Sequence, residues 1–317
     1  MSRQLLSRAD QVFYGRATFG PYQADKPGLQ VSLGYRWRPS GSAAAFTFTA
    51  ALAAGATSGT LSANWAGPTG LFTITFSDTE SLIGYFVNGS AAVKFYPATP
   101  PITGGGYGVA QSGSTANTAQ AALVNAVTSA ITVAGLPPAL GVSTAVCTSQ
   151  AVTTASPATI NGTLASGGVA TMDVPRNIIA AWTGTAIVTI TGTDYYGQTQ
   201  TWVSASGTST ASTKAFATVT SITVSANVTG FTCGTGNVLG LPFRINNGDF
   251  LAPMVGDAAD AGTFTPPDLT LPATSTTGDV RGTYTPNTAL NGVKFVAAWI
   301  KPTDPTTQVG SFGVTPA

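Results

Sequence analysis

The stretch MDVPRNIIAAWTGTAIVTITGTDYYGQTQTW, residues 172–202, decides the fold. Within it AIVTITGT (186–193) sets β-branched residues at alternate positions. Asp194-Tyr195-Tyr196-Gly197 follows, and then TQTWVSAS (199–206) takes up the alternation again. A period of two marks a half-buried strand. An Asp that can bond its own backbone two residues on, with a Gly that accepts positive φ, marks a turn. Strand, turn, strand is therefore the local reading.

The same rhythm runs outward through residues 143–317. AFATVTSITVSANV, PFRI, GTYT and GVKFVAAWI are strand-like runs, separated by Gly207, Gly230, Asn246-Asn247-Gly248 and Asn291-Gly292. No strand–helix–strand rhythm interrupts them, so this region is expected to form a β-sandwich or jelly roll.

Residues 43–97 read as a smaller antiparallel β module. AFTFTAAL and GLFTITF alternate, while LIGYFV and AAVKFY flank Asn88-Gly89-Ser90. Asn-Gly between apolar runs predicts a hairpin with a type I′ turn. Trp65 and Phe72 are the expected core anchors. Residues 98–142 form a Pro/Gly linker around one predicted helix, 116–134, where alanines and aliphatics recur at helical spacing before Gly135 and Pro137-Pro138. The fold class is thus all-β with a single linking helix.

Residues 1–42 differ from the rest. Arg3, Arg8, Arg16, Lys26, Arg36 and Arg38 are six of the 13 basic residues in the chain, and Phe13, Tyr14, Phe19, Tyr22, Tyr35 and Trp37 are interleaved with them. Prolines at 21, 27 and 39 break any regular element. Two readings stand together: an extended arm that binds a partner, or a terminal segment folded back on its own domain. The basic residues are spread too thinly for a nucleic-acid site.

Charge is scarce everywhere else. Charged residues make up 8% of the 317-residue chain against 43% hydrophobic, where an ordinary domain carries about 25% charged. Apolar content this high excludes a charge-rich disordered chain. A surface of Thr, Ser, Ala and Gly, with net charge +1, opposes self-association weakly. No apolar run is long enough for a membrane helix, and no membrane partner is expected. The N-terminus lacks the apolar core of a signal peptide, which predicts synthesis in the cytoplasm.

Candidate chemistry is thin. Histidine is absent, which removes Ser-His-Asp and Cys-His catalysis and His-ligated metals. Asp78/Glu80 and Asp257/Asp260 are the carboxyl pairs a glycosidase would need. The first follows a strand end as a turn, and the second, in GDAADAG, reads as a solvated loop without the alternating acids of a calcium loop. GTGNVLG (234–240) fails the dinucleotide fingerprint, because Leu241-Pro242 stands where a helix should begin, so its glycines read as turn residues between strands. Cys147 and Cys233 allow either one disulfide or two buried thiols. No enzyme, metal or cofactor is assembled from these parts.

No charged residue lies between Lys94 and Asp173. The charges that then appear read as structural fasteners. Asp173 caps a turn beside Pro175, which fixes φ and removes a donor, and Arg176 bridges strands or subunits. Asp194 closes the Asp-Tyr-Tyr-Gly turn, and Arg281 pairs with Asp279 or reaches Asp173.

The strings MDVPRNII, ITGTDYYGQ, KAFATVTSITV, GTGNVLGLPF and TGDVRGTYTPNTALNG, in this order, resemble a group of tailed-bacteriophage virion structural proteins. ATSGTLSANWAGPTGLFTITFSD (56–78) is similar to a small β module that recurs in such proteins. The likeness covers the chain from about residue 172 onward and the segment from about 50 to 80. The module usually continues with a glycine and a basic residue, where this chain has Thr79-Glu80-Ser81, so any contact of that basic residue is not carried over. The resemblance implies a head decoration (cement) protein on the outer surface of the capsid. Such a protein would bind the major capsid protein across capsomers and associate with copies of itself as a dimer or trimer. Two other readings are a tail or connector component and a host-glycan-binding fibre protein. In the fibre reading Trp182, Trp202, Tyr195 and Tyr196 would form an aromatic platform.

Overall fold

A computed structural model describes residues 11–13, 33–49, 58–76, 81–96, 131–256, 258–300 and 313–317. The chain divides into two units, one of Ser40–Ala139 with Asn291–Phe295, the other of Met1–Pro39, Leu140–Leu290 and Val296–Ala317.

In chain order the strands are β1 (Gln11–Phe13), β2 (Leu33–Trp37), β3 (Ser42–Phe46), β4 (Ser58–Thr60), β5 (Gly70–Phe76), β6 (Ser81–Phe86), β7 (Ala92–Tyr96) and β8 (Ile131–Leu136). Then follow β9 (Cys147–Val152), β10 (Ala165–Ser166), β11 (Val169–Ala186), β12 (Val188–Thr193), β13 (Thr199–Val203) and β14 (Gly207–Val224). The last are β15 (Val228–Gly240), β16 (Phe250–Val255), β17 (Ala258–Ala259), β18 (Thr263–Thr265), β19 (Thr283–Thr285) and β20 (Val296–Ile300). Every paired strand is antiparallel, and the fold is all-β.

The smaller unit is one six-stranded sheet in the order β3-β8-β5-β6-β7-β4. Its two ends meet: Phe48 bridges Leu61, Thr49 N donates to Thr60 O (2.9 Å) and Ser62 N to Thr47 O (2.7 Å). The sheet therefore curls until its two ends join at this point. Alternation places Phe48, Leu61, Phe72, Ile74, Phe86, Val93, Phe95 and Val133 inside, around Trp65, which is 1% exposed. The Trp65 indole packs tilted against Phe86, ring centroids 4.4 Å apart, and donates to Pro68 O at 2.7 Å, so its polar end is satisfied.

Two local expectations change here. Gly89 has φ +78 and Ser90 N donates to Val87 O (3.0 Å), but Asn88 does not share the positive φ. A positive φ at the third turn position alone belongs to type II, not type I′. The Asn88 amide instead donates to Gly67 O (2.8 Å). The end of the predicted helix is also corrected: residues 131–134 lie in strand β8, while 116–130 fall outside the described residues. Ile131-Thr132-Val133 is β-branched and favours a pleated surface. Between β3 and β5 that strand fills the gap that completes the barrel. Gly135, expected to cap a helix, has φ +80 at the register shift of the β3–β8 pair.

The larger unit holds a nine-stranded and a five-stranded sheet. The nine-stranded sheet runs β13-β12-β14-β11-β15-β19-β18, with β10 on β11 and β9 on β15. It curls around its own core of Val188, Ile190, Trp202, Phe216, Ile222, Ile178, Trp182, Phe231, Cys233 and Cys147. The five-stranded sheet, β1-β2-β20-β16-β17, packs over Trp37, Val255, Val296, Ala298 and Ile300 against Val174, Leu239 and Tyr284 of the larger sheet. Leu33–Trp37 of the expected arm is thus a paired strand, with Trp37 only 3% exposed.

GTGNVLG lies inside β15 instead of turning between strands. A Cβ on Gly234 would collide with Val142 O, and one on Gly236 with the Asn177 side chain. These glycines let neighbouring segments press directly on the strand.

Candidate functional site

Arg176, Lys214, Arg244 and Arg281 are each 5% exposed or less, and Asp194 and Asp260 are 3% and 6% exposed. Charged side chains are seldom buried unless paired. Among the described residues six charged side chains are thus internal, and their partners decide what they do.

The first fastener follows from a strand irregularity. Register between β11 and β14 shifts between Thr171 and Arg176, where Asp173, Val174 and Pro175 leave the ladder. Proline, having no N–H, is tolerated in a sheet at such a bulge. There Asp173 Oδ1 accepts from Val174 N (2.9 Å) and Oδ2 from the Arg176 guanidinium (2.6 Å). Arg176 also donates to Gly236 O (3.3 Å), and Asn177 Oδ1 accepts from Val238 N (3.1 Å). Burial lowers the Arg176 pKa, and the charge and hydrogen bond of Asp173 oppose that shift. The motif ties β11 to β15 inside one subunit.

The second fastener is larger. Asp194 Oδ1 accepts from Tyr196 N (2.9 Å) and Gln198 N (2.8 Å), closing the β12–β13 turn with Gly197 at φ +78. Its Oδ2 pairs with the Arg281 guanidinium, which also lies 5.0 Å over the Tyr196 ring. Arg281 therefore reaches Asp194, not Asp173. Asp279 acts on backbone: Oδ1 accepts from Arg281 N (2.9 Å) and Gly282 N (3.1 Å), and Oδ2 from Ala215 N (3.0 Å). Ala215 lies past the last β12–β14 partners, Thr193↔Thr218. Its N–H is taken by Asp279 and its carbonyl by Gln200 Nε2 (2.6 Å). Burial raises the Asp279 carboxyl above the ordinary range, against the backbone donors and Arg281.

Next to this, Lys214 Nζ donates to Thr201 O (2.9 Å), Thr274 O (2.8 Å) and Ala317 O (3.1 Å). Burial lowers its pKa, while Asp279 and Asp268 act the other way. The cleft bounded by Pro175, Asp194, Gln200, Asp279 and Arg281 encloses only ≈10 Å³, space for about one water. Its polar groups bind protein, and the cleft is too small to admit a substrate.

A third fastener departs from the expectation of a solvated loop. Asp260, expected in a solvated loop, is buried and accepts from Tyr284 Oη (2.5 Å), Asn287 N (2.9 Å) and Thr288 N (2.8 Å). Burial pushes its carboxyl up, but these hydrogen bonds outweigh burial and hold it below the ordinary value. Tyr284 is raised, first by burial and then by the Asp260 bond. Asp257, Asp78 and Glu80 lie outside the described residues, as do Arg3, Arg8, Arg16 and Lys26 of the expected arm. Arg36 and Arg38 are exposed; partial burial and then Arg36 lower the Arg38 pKa.

Of the aromatic platform, Trp182 and Trp202 are 6% and 5% exposed and belong to the core. Tyr195 and Tyr196 alone stand out, at 44% and 41%, with rings 5.1 Å apart and Tyr196 Oη bonded to Pro242 O at 2.8 Å. Cys147 and Cys233 are free thiols, both buried. Among the described residues no three of Cys, Asp and Glu gather as a metal site.

Sequence reasoning passed over Lys214, Gln200, Asn177 and Arg244. One signal was present: Lys214 is the only charge between Asp194 and Arg244, and a lone cation in an alternating strand must find acceptors if it turns inward. The chain matches no family model, no curated protein and no solved structure.

Proposed function

We propose that this chain is a non-enzymatic virion structural protein of a tailed bacteriophage, a decoration protein that binds the major capsid protein across capsomers on the outer head surface. One observation carries the reading: Arg176, Lys214, Arg244, Arg281, Asp194 and Asp260 are buried, and the ion pairs and hydrogen bonds of the fasteners join strands and loops within the chain. A chain with so little charge, net +1, suits close packing in many copies, because few charges must be desolvated on contact. The ordered likeness of MDVPRNII, ITGTDYYGQ and TGDVRGTYTPNTALNG to phage virion proteins points the same way. Self-association as a dimer or trimer fits local two-fold or three-fold axes of a shell.

The test is co-sedimentation of the purified protein with heads lacking it, counted as copies per head. Saturation at a simple ratio to the major capsid protein supports decoration. A handful of copies per particle moves the protein to the tail or connector. No binding to any particle, with glycan binding found instead, favours the fibre reading, for which Tyr195 and Tyr196 are the exposed aromatic pair. A variant replacing Arg3, Arg8, Arg16, Lys26, Arg36 and Arg38 is expected to bind heads more weakly while folding normally. Unchanged binding removes these residues from the interface.

A further inference from the structure

Cys147 and Cys233 come from β9 and β15 and are direct partners across that antiparallel pair. Residues directly opposite in such a pair have Cα atoms about 4.5–5.5 Å apart, inside the window of about 4.4–6.8 Å that a disulfide spans. Both side chains point into one core cluster and both are 0% exposed. The register thus places two thiols, 86 residues apart in sequence, face to face. Among the described residues β9 pairs with β15 alone, at an edge of the sheet, so opening β9 is the local motion that would expose them.

We propose that Cys147 and Cys233 are a site of intramolecular covalent cross-linking, converted to a disulfide when the folded protein meets a low-molecular-weight disulfide such as oxidised glutathione. The two thiols are unequal. The hydrogen bond from Cys233 lowers the Cys147 pKa, while that same bond and then burial raise Cys233. Cys147, carried by the edge strand that opens, is the attacking thiolate. Its sulfur displaces one glutathione thiolate and forms a mixed disulfide. Cys233 then loses its proton to water and attacks the Cys147 sulfur, releasing the second glutathione. The protein dithiol loses two electrons and two protons, and one oxidised glutathione becomes two reduced ones. The product clamps edge strand β9 to β15. In a reducing cytoplasm the pair stays as thiols; outside the cell it closes.

The test incubates the native full chain with oxidised glutathione, then unfolds it in alkylating agent and maps its peptides by mass. The expected result is loss of both thiols together, a Cys147–Cys233 linked peptide and no retained glutathione. The rate should increase in sub-denaturing urea as β9 opens, and the oxidised protein should need more urea to unfold until reductant is added. Cys147→Ala should abolish the linked peptide. Thiols that stay alkylatable in the folded protein, while the unfolded chain oxidises under the same conditions, would overturn the proposal. So would a stable glutathione adduct, or a disulfide found only between chains.

Discussion

Replacing Arg281 with Met tests whether the buried polar network holds the larger unit together. Arg281 is 2% exposed, and its guanidinium meets the Asp194 carboxylate, itself 3% exposed. Methionine keeps most of the stem but strands the second oxygen of Asp194, since only the first is held by Tyr196 N and Gln198 N. Removing one partner of a buried ion pair costs ~3–5 kcal/mol. The lost cation–π contact with Tyr196 falls within that figure, at about 0.5–2 kcal/mol. Asp194→Asn should cost about as much, because it takes the carboxylate charge away from a buried cation while preserving the turn acceptor. The double variant leaves no stranded charge and should return to within about 1–2 kcal/mol of the parent. Urea unfolding followed by tryptophan fluorescence measures all four corners, with Trp182 and Trp202 reporting from the core of this unit. If Arg281→Met unfolds within about 0.5 kcal/mol of the parent, the pair is not a fastener. If the double variant loses the full sum of the singles, the two side chains act separately and the pairing account fails.

Three further outcomes are expected. Asp260 and Asp268 both have carboxyls held below the ordinary value, Asp268 chiefly by its hydrogen bonds with Thr270 and Gly278. A depressed folded pKa contributes stability above the unfolded value of about 3.9, and that stability is lost as pH falls through the folded value. Asp279, raised by burial, has the opposite sign. Urea midpoints should therefore fall below about pH 4, and Asp260→Asn should flatten the fall; an unchanged acid limb would count against the Asp260–Tyr284 fastener. Gly234→Ala forces a methyl into Val142 O and should cost about 1–3 kcal/mol by urea unfolding, whereas a neutral result would mean that the 140–143 segment moves freely away. Lys214→Met removes a donor from Thr201 O, Thr274 O and Ala317 O, for about 1–3 kcal/mol. Limited proteolysis should then cut sooner near residues 313–317, and an unchanged cleavage pattern would show that Lys214 does not anchor that end.

Strand identity was legible because it depends on neighbours in sequence. AIVTITGT and TQTWVSAS became β12 and β13, paired across the Asp194 turn in the register Thr193↔Thr199. Trp65 was recognisable as core since a lone Trp between alternating strands has few other places to go. The hidden parts depended on distant segments. Residues 131–134 continue an alanine-rich helical pattern, yet become β8 because β3 and β5 leave a strand-wide gap. Leu33–Trp37 sits in a basic, proline-broken segment but pairs with β20, far along the chain. Asp260 lies in GDAADAG, a composition that reads as solvated, and is buried because Tyr284, Asn287 and Thr288 bring three donors to it.

The sequence by itself determined an all-β protein with few charges and no histidine, because period, composition and turn chemistry are local properties. Only the tertiary structure decided that the small module closes into a barrel, that Arg281 meets Asp194 and not Asp173, and that Cys147 faces Cys233. The cysteine pairing is a matter of register between strands tens of residues apart, and a shift of one residue in either strand would turn a thiol to the opposite face. Asp194 and Arg281 lie in loops that meet only once distant strands have assembled.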